Sequence, residues 1–501
     1  MSRDFSRFSK KRYDLLVIGG GINGAAIANL AAAAGARVAL VEKNDWASGT
    51  SSKSTKLLHG GIRYLENFEF DLVAESLKER FIQWKNVPHL VKPMRFIIPV
   101  YRGQGRPLWM MRAGVWLYDV LSGKYTLGSH ANLSKEEVLQ LAPALKKEGL
   151  VGGVSYFDAQ MDDARICLEN VLMALKRGVD AANYAEMVEF IKEDGKAVGA
   201  RVKDTLSGDT VEIMAQKTIV TAGPWSDELR RKDTPKTRGR LRPTKGAHIV
   251  CRGNAGENAF LLQNKKDNRI FFIIPFKGNM LIGTTDTDYS GPADEVRVEE
   301  ADIDYLLGQA AAIFPSLHLS RERIITTFAG LRPLVYERGS PSKVSRKHVI
   351  ERNFSGIYYV MGGKYTTYRS IALECIAKVL PELAGHLPAG EHYTLVGSGL
   401  GHEEVKPIAL RYGVEAESVG HLMSVYGSRF EDVLALTRTD ASLKARICSC
   451  SPAIRAQVAY AVRAEMAITA DDIYERRLEL AYNDCPTRQC RRVIEGMLKD
   501  L

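Results

Sequence analysis

The stretch Y13-D-L-L-V-I-G-G-G-I-N-G24 decides the fold of the N-terminal part of the chain. It starts with a short, mostly apolar run of the kind that forms a buried parallel strand. The run ends in G19-G-G-I-N-G24, which fits the pattern G-x-G-x-x-G. Residues 25–34 are mostly alanine and predict a helix, and residues 37–41 predict a second strand. This strand–turn–helix–strand order predicts a Rossmann-like nucleotide-binding unit.

Each glycine of the turn has a steric role in such a unit. Gly19 allows the tight turn, Gly21 lets a pyrophosphate approach the backbone, and Gly24 lets helix and strand pack closely. The helix N-terminus then faces the phosphates, and an acid at the end of the second strand accepts hydrogen bonds from ribose hydroxyls. The pattern does not distinguish NAD from FAD. The residues predicted to contact the nucleotide here are Gly19, Gly21, Ile22, Asn23, Gly24 and Glu42.

Composition limits the class of protein and the partners. The chain has 501 residues, of which 45% are hydrophobic and 26% charged, and this suits a large globular enzyme of several domains. Its formal net charge of +10 favours anionic partners such as an acidic lipid surface or a phosphorylated substrate. No long block of like charge is present, so we expect no nucleic acid partner. The basic arm, residues 1–12, is either a solvated tail or a contact for lipid head groups.

The sequence also predicts a location. No apolar run is long enough to span a bilayer, and no secretory signal is recognisable at the N-terminus. The 7 cysteines do not suit a disulfide-rich secreted domain. We therefore expect a reducing, cytosol-facing location.

The segment S48-G-T-S-S-K-S-T-K-L-L-H-G-G-I-R-Y-L-E66 resembles the FAD-dependent glycerol-3-phosphate dehydrogenases, within the D-amino-acid-oxidase-like flavoproteins. The resemblance runs over about residues 12–480 and follows the aerobic, single-subunit type. Further matching motifs occur in order along the chain: K92-P-M-R-F96, D158-A-Q-M-D-D-A-R165, T221-A-G-P-W225, K245-G-A-H248, I282-G-T-T-D-T287, G330-L-R-P-L334 and G362-G-K-Y-T-T-Y-R369.

The resemblance implies FAD as cofactor and assigns further contacts to it. Hydroxyl and backbone N–H groups would donate hydrogen bonds along the pyrimidine edge of the isoalloxazine ring. Glycines would let the backbone approach the cofactor at the end of T218-I-V-T-A-G-P-W225 and in the G362-G-K motif. Backbone near Val188 would contact the adenine side. The implied contacts are Thr50, Ser51, Ser52, Lys56, His59, Val188, Gly223, Gly362 and Gly363.

The resemblance also implies a substrate site. A phosphate ester needs cationic donors, and the implied ligands are Arg63, Tyr64, Arg332 and Lys364. We expect Arg332 and Lys364 to lie in glycine-containing loops of the later part of the chain. Arg332 would orient the substrate and stabilise charge, because arginine is a poor base. His59 or His248 would accept the hydroxyl proton, and the sequence does not choose between them.

The predicted fold class is α/β: a Rossmann-like FAD-binding domain, a substrate domain built on an antiparallel sheet, and a C-terminal α-helical domain. The oxidoreductase part covers residues 13–390, with interleaved subdomains and a substrate sheet mainly in residues 240–340, where apolar and polar residues alternate. Helical patterns dominate residues 391–501.

The implied reaction is oxidation of sn-glycerol 3-phosphate to dihydroxyacetone phosphate, with hydride moving from C2 to flavin N5 and electrons passing to a membrane quinone. The enzyme would be peripheral on the inner face of the cell membrane, and a homodimer is the oligomer to consider. Residues 105–121 predict a helix that is either a core helix or an interfacial one, with Arg106 and Arg112 near lipid phosphates. Alternatives are an amino-acid or amine oxidase of the same fold, an oxidase that uses O2, and a non-catalytic flavin- or lipid-binding protein.

Four cysteines near the C-terminus form the pattern C448-S-C450 and C485-P-T-R-Q-C490. The pattern resembles the end of the anaerobic glycerol-3-phosphate dehydrogenase large subunit, which implies a [2Fe–2S] cluster on Cys448, Cys450, Cys485 and Cys490. Two close pairs of cysteines also suit zinc. The remaining interpretation is four reduced thiols without a metal.

Overall fold

The computed structural model describes residues 3–264, 267, 269–336, 347–388, 390–391, 393–485 and 488–500. Met1 and Ser2 of the predicted arm and Leu501 of the predicted helical domain lie outside these residues. The strands are β1 (Arg12–Ile18), β2 (Val38–Val41), β3 (Leu57–Leu58), β4 (Val91–Tyr101), β5 (Ala131–Leu133), β6 (Leu150–Met161), β7 (Asp180–Ala182), β8 (Ala185–Glu193), β9 (Lys196–Asp204), β10 (Thr210–Val220), β11 (Leu241–Cys251), β12 (Ala259–Gln263), β13 (Ile270–Phe276), β14 (Asn279–Gly283), β15 (Thr287–Asp288), β16 (Ile324–Val335), β17 (His348–Arg352) and β18 (Tyr358–Gly362).

The helices connect and cover these strands, and the last five follow one another in the C-terminal part. They are α1 (Ile22–Ala33), α2 (Phe70–Asn86), α3 (Leu108–Ser122), α4 (Lys135–Leu141), α5 (Asp163–Lys176), α6 (Ser226–Asp233), α7 (Glu300–Ile313), α8 (Tyr368–Val379), α9 (Val405–Tyr412), α10 (Ala416–Tyr426), α11 (Phe430–Thr439), α12 (Arg455–Glu465) and α13 (Gln489–Asp500).

The first sheet has the order β17–β18–β10–β1–β2–β7, and its central neighbours β18, β10, β1, β2 and β7 run parallel. β8 and β9 extend it through antiparallel pairing with β10. Helix α1 contacts both α5 and α8, and the three helices share an apolar core with the sheet. β1, α1 and β2 form the predicted strand–helix–strand unit, so the Rossmann-like fold is confirmed.

The β1–α1 turn shows why glycines occupy it. Gly19 has a φ of +113°, which side chains rarely tolerate. A Cβ added to Gly24 would lie 1.9 Å from the carbonyl oxygen of Gly19. The helix and strand can therefore approach this closely only with glycine at position 24.

The second sheet has the order β15–β11–β14–β13–β12–β4–β6–β3, with β16 added beside β11. Strands β11 to β16 lie within the predicted interval 240–340, and their pairings with one another are antiparallel. Strands β4 and β6, from residues 91–101 and 150–161, add to the sheet from outside this interval. β12 joins β4 in parallel, a pairing that alternation within one segment cannot reveal.

The N-terminal arm packs against the first sheet over residues 3–12. Phe8 is buried in the core beside Tyr13. Arg3 forms an ion pair with Asp204 at 2.7 Å. The interpretation of the arm as a solvated tail is therefore wrong for these residues.

Helix α3 is amphipathic and has one buried and one exposed face. Val115, Tyr118 and Ser122 are buried. Trp109 and Trp116 leave 68% and 57% of their surface exposed. The prediction of a core helix is correct for the inner face only.

The C-terminal helices α9 to α13 rest on the FAD-binding part through buried ion pairs. Arg165 of α5 donates to Glu465 of α12, and Arg477 donates to Asp45 after β2. All four side chains are almost fully buried. Among the described residues, no helix is both long and apolar enough to cross a bilayer.

Candidate functional site

A cavity of about 760 Å³ lies between the two sheets. The β1–α1 turn and the end of β2 line one end of it, and residues of β11, β16 and the loop after β3 line the other. The segment Ser48–Thr55 joins the two ends. One elongated space therefore connects a nucleotide-type turn to the second sheet.

At the first end, backbone N–H groups and a carboxylate face the cavity. Gly21 caps α1, and the N–H of Ile22 donates to Ser51 Oγ at 2.9 Å. Asn23 Oδ1 is buried and has no hydrogen-bond partner among the described residues. Glu42 accepts hydrogen bonds from the backbone N–H of Gly20 at 2.7 Å and of Asn44 at 2.9 Å, and burial raises its pKa. This arrangement suits a diphosphate at the helix end and a ribose beside Glu42.

Small residues line the middle of the cavity. Thr50 Oγ1 donates to the carbonyl of Leu331 on β16 at 2.7 Å, which ties the Ser/Thr-rich segment to the second sheet. Gly223, Gly362 and Gly363 all have positive φ angles and line the cavity. These backbones leave room for a flat ring between the sheets.

Four residues that the sequence assigned to the cofactor lie outside the cavity lining: Gly24, Ser52, Lys56 and Val188. Gly24 packs against the Gly19 carbonyl. Ser52 is buried, whereas Ser51 beside it lines the cavity. Val188 is 40% exposed and lies where the pairing of β8 with β9 shifts register, and its neighbour Met187 lines the cavity.

Lys56 departs furthest from its predicted place. Its Nζ donates to Asp163 at 2.5 Å and to Glu479 at 2.9 Å, and its side chain is fully buried. Burial opposes the positive charge, but Asp163 and Glu479 outweigh burial and hold the pKa of Lys56 well above its ordinary value. Lys56 therefore joins the C-terminal part to the core and is not a side-chain ligand of the cavity.

At the second end, two cations meet around one tyrosine. Lys364 Nζ lies 4.4 Å from the centre of the Tyr64 ring and donates to Ser76 Oγ at 2.7 Å. The Arg63 guanidinium lies 5.8 Å from the same ring. Arg63, Tyr64 and Lys364 all line the cavity, so they form a compact cationic pocket.

Arg332 also lines the cavity, but it lies within strand β16 and not in a loop. Its Nη1 donates to Asp286 at 3.0 Å and its Nη2 to Thr284 Oγ1 at 3.0 Å. A Cβ on Gly246 of the neighbouring β11 would lie 2.6 Å from Arg332 Nη2. The Arg332 guanidinium is thus held by a carboxylate, a hydroxyl and the nearby backbone of Gly246. Lys364, by contrast, lies in the predicted glycine-containing loop, directly after β18.

The two candidate bases differ in environment. His248 is buried on β11, and its ring stacks on Phe328 with centres 4.7 Å apart. Its Nε2 lies 3.0 Å from Thr55 Oγ1, and burial together with Arg332 and Lys56 lowers the pKa of His248 to about 3. His59 is half-buried, lines the cavity and is held by backbone hydrogen bonds to Thr366 Oγ1.

A buried network supports the loop that carries His59, Arg63 and Tyr64. Asp158 on β6 accepts hydrogen bonds from the backbone N–H of Gly60 at 3.1 Å and from the Tyr118 hydroxyl at 2.7 Å. Arg80 of α2 donates to the same carboxylate at 2.6 Å. Asp158 stands in a quoted motif, but its role was missed because its partners are far away in sequence.

The four C-terminal cysteines lie together, outside the cavity lining. Their Sγ atoms are all within 4.8 Å of one another. The second cluster of possible metal ligands, Asp162, Asp163 and Glu479, surrounds the ammonium group of Lys56.

Comparison with known proteins supports the interpretation of this cavity as an FAD site. Residues 14–369 match the family model described as FAD dependent oxidoreductase, and residues 389–501 match the C-terminal domain of alpha-glycerophosphate oxidase. A glycerol-3-phosphate dehydrogenase from Synechocystis sp. is 40% identical, over 96% of this chain and 91% of its own length. An aerobic glycerol-3-phosphate dehydrogenase from Bacillus subtilis is 35% identical, over 95% and 88%.

A solved structure shows the same fold with its cofactor. The glycerol-3-phosphate dehydrogenase from Bacillus halodurans complexed with FAD has a TM-score of 0.82 and 32% identity, covering 99% of this chain and 92% of that one. The helix end, the unpartnered Asn23 oxygen, Glu42 and the glycine-lined middle fit FAD. Family models, relatives and site geometry therefore lead to one conclusion: the chain belongs to the FAD-dependent glycerol-3-phosphate dehydrogenases.

Proposed function

We propose that this chain oxidises sn-glycerol 3-phosphate to dihydroxyacetone phosphate. The observation that carries the proposal is the pocket of Arg63, Tyr64 and Lys364 at the opposite end of the cavity from the FAD-type turn. Bound FAD would accept the hydride that leaves C2. The residues around it bind the phosphate, orient C2 and take the hydroxyl proton.

The phosphate dianion binds between Lys364 and Arg63. Lys364 is only 9% exposed, so its charge acts in a medium that screens it weakly. The Arg63 fork and the Tyr64 hydroxyl add directional donors. An amino-acid oxidase of this fold would need one cation for a carboxylate, and the second cation here favours a phosphate ester.

Arg332 orients the C2 oxygen and stabilises the negative charge that grows there as the proton leaves. Its position is suited to this role because Asp286 and Thr284 fix the guanidinium before the substrate arrives. The ion pair with Asp286 partly neutralises the charge of Arg332. Orientation of the substrate is therefore the main contribution of Arg332.

We assign the proton acceptor to His59. A base must bind the proton well enough to keep it while hydride leaves. The pKa of His248 is lowered to about 3, so His248 holds a proton poorly and serves as a neutral neighbour of the site. His59 lies in the cavity wall on the same loop as Arg63 and Tyr64, next to the phosphate pocket.

For the electron acceptor, we propose a quinone taken from the membrane surface. Phe68, Trp109 and Trp116 are exposed apolar side chains. Phe68 and Trp109 are close in sequence to Glu66 and Arg106, which line the cavity and form an ion pair. Exposed Arg112 and the net charge of +10 favour anionic lipid. The enzyme would therefore lie on the inner face of the membrane with the rim towards the lipid.

One experiment tests the substrate directly. The purified holoenzyme is mixed anaerobically with sn-glycerol 3-phosphate while the visible flavin bands are recorded. Bleaching with this substrate, and none with glycerol or glycine, supports the proposal. Flavin that bleaches only with glycine would assign an amino-acid oxidase. Reoxidation by a quinone analogue faster than by O2 supports the proposed acceptor, and the reverse rate order assigns an oxidase.

A further inference from the structure

Two short segments bring four cysteines together in the C-terminal part. Cys448 and Cys450 lie in a turn that is closed by the Ile447 N–H donating to the Ala453 carbonyl at 2.8 Å. Cys490 is in the first turn of α13, and Cys485 precedes it. Cys448 and Cys490 are buried, and Cys450 and Cys485 are half-buried.

The sulfur atoms form one compact group. Cys450 Sγ lies 3.0 Å from Cys448 Sγ and 3.1 Å from Cys490 Sγ, and Cys485 Sγ lies 3.7 Å from Cys490 Sγ. Cys448 and Cys490 are in bonding contact. All four sulfurs lie within 4.8 Å of one another.

A disulfide alone does not account for this arrangement. It would join Cys448 to Cys490 and leave two thiols pressed against the bond, where Cys450 could attack either sulfur. The other cysteines of the chain, Cys167, Cys251 and Cys375, are buried separately. Convergence of four sulfurs from two turns is the arrangement that a metal centre requires.

We propose that Cys448, Cys450, Cys485 and Cys490 bind a single thiophilic divalent cation of the zinc class. A tetrahedral zinc with Zn–S bonds of about 2.3 Å places its sulfurs about 3.8 Å apart. The four sulfurs lie within 4.8 Å of one another, and the closer contacts around Cys450 and between Cys448 and Cys490 would open to this spacing. A two-iron cluster holds two sulfurs on each iron and separates the pairs by the additional iron–iron spacing, so it requires a wider group.

The surroundings suit the negative charge of such a site. In the reduced protein, where all four cysteines are thiols, binding one divalent cation releases four protons and leaves a net charge of −2 on the centre. Cys490 lies at the N-terminal end of α13, where the helix dipole favours thiolate.

The ion would hold α13 onto the rest of the protein. The Cys450 carbonyl accepts a hydrogen bond from Asn483 Nδ2 at 3.5 Å. The adjacent Tyr482 packs against Phe276 and Phe328 of the second sheet. The site therefore connects the last helix to the wall behind His248, and its role is structural.

The test is metal analysis of the full-length holoenzyme, purified under reducing conditions. We expect one zinc per chain, and X-ray absorption at the zinc edge should show four sulfur ligands at about 2.3 Å. The variants Cys450→Ser and Cys485→Ser should lose the metal, because both residues are half-buried and belong to the centre. Cys375→Ala, which removes a buried thiol elsewhere, should keep it.

Other results would overturn the proposal. Two irons with two acid-labile sulfides per chain would replace the single ion by a cluster. Absence of metal, with either four reactive thiols or a Cys448–Cys490 disulfide, would leave the group without a ligand. The X-ray absorption measurement uses the unmodified protein, so it decides even if the serine variants fail to fold. It also gives its answer whether or not the protein oxidises glycerol 3-phosphate.

Discussion

Lys56 and Lys364 lie in two buried regions that differ in their relation to the cavity. Lys56 is sealed beneath the C-terminal part and surrounded by the carboxylates of Asp163 and Glu479. Lys364 borders the cavity and contacts the Tyr64 ring and the Ser76 hydroxyl. Burial of a cation alone does not identify a binding site. Access to a cavity separates the lysine suited to bind substrate from the lysine that holds the protein together.

The largest effect should come from the cavity side of this comparison. His59→Asn removes the proposed proton acceptor, so we expect kcat to fall by about 10²- to 10⁴-fold. Anaerobic stopped-flow measurement of flavin bleaching checks this, with the FAD content as a test of folding. His248→Asn is the matched control and should lose much less. A larger loss in His248→Asn than in His59→Asn would reverse the assignment.

Arg332→Ala should lower kcat by about 10²- to 10³-fold, because one fixed donor to the reacting oxygen is lost. The flavin should remain bound, since Arg332 lies at the substrate end. Steady-state kinetics of the holoenzyme measures the change, and Arg332→Lys should recover only part of the rate. Turnover at the wild-type rate in Arg332→Ala would remove Arg332 from the site.

On the sealed side, Lys56→Met should mainly lower stability. It leaves Asp163 buried without its cation and Glu479 with Lys277 alone, and loss of one partner of a buried ion pair costs about 3–5 kcal/mol. Urea unfolding of the holoenzyme measures the free energy of unfolding. Lys124→Met, which removes a lysine paired on the surface with Glu391, is the control and should leave stability unchanged. Equal stability of the two variants would contradict the role assigned to Lys56.

The proposed lipid-facing side of α3 should affect location and leave chemistry intact. Burial of one large apolar side chain contributes about 1.5–3 kcal/mol. The double variant Trp109→Ser, Trp116→Ser should therefore bind anionic liposomes at least about tenfold more weakly. Turnover with a soluble acceptor should stay the same. Unchanged liposome sedimentation would exclude this face as the lipid contact.

The smallest effect should be a pH dependence at the C-terminal interface. Burial opposes ionisation of Glu465, but Arg165 outweighs burial and lowers the pKa of Glu465. The folded protein therefore binds fewer protons here than the unfolded chain does. This stability is present above the ordinary glutamate pKa of about 4.3 and is lost as pH falls through the lower, folded value. Urea unfolding at falling pH measures it, and Glu465→Gln should flatten that part of the curve.

The parts of the fold that local sequence determines could be predicted. The glycines of the β1–α1 turn and the acid after β2 have their roles within about thirty residues of one another, in a known spacing. β4 and β6 could not be assigned to the second sheet, because their partners include a strand as distant as β12. The alternation that predicts a strand carries no information on which strand pairs with it.

The candidate site shows the same limit at the level of side chains. Arg63, Tyr64 and Lys364 were expected to lie together, and in the structure both cations contact the Tyr64 ring. The burial of the Lys56 side chain was not predicted, because its carboxylate partners, Asp163 and Glu479, come from distant segments. Motif resemblance indicates that such a lysine belongs near the site, but only the folded structure shows which way its charge is directed.

The hydrogen bond between Tyr118 and Asp158 has a mechanical consequence. Tyr118 belongs to the surface helix α3, and the same carboxylate holds the Gly60 N–H at the start of the loop that carries Arg63 and Tyr64. If α3 contacts a lipid surface as proposed, a tilt of the helix would be transmitted through this hydrogen bond to the loop. The affinity of the enzyme for its substrate would then vary with the lateral pressure and head-group composition of the bilayer, so the bilayer would regulate the enzyme as well as bind it.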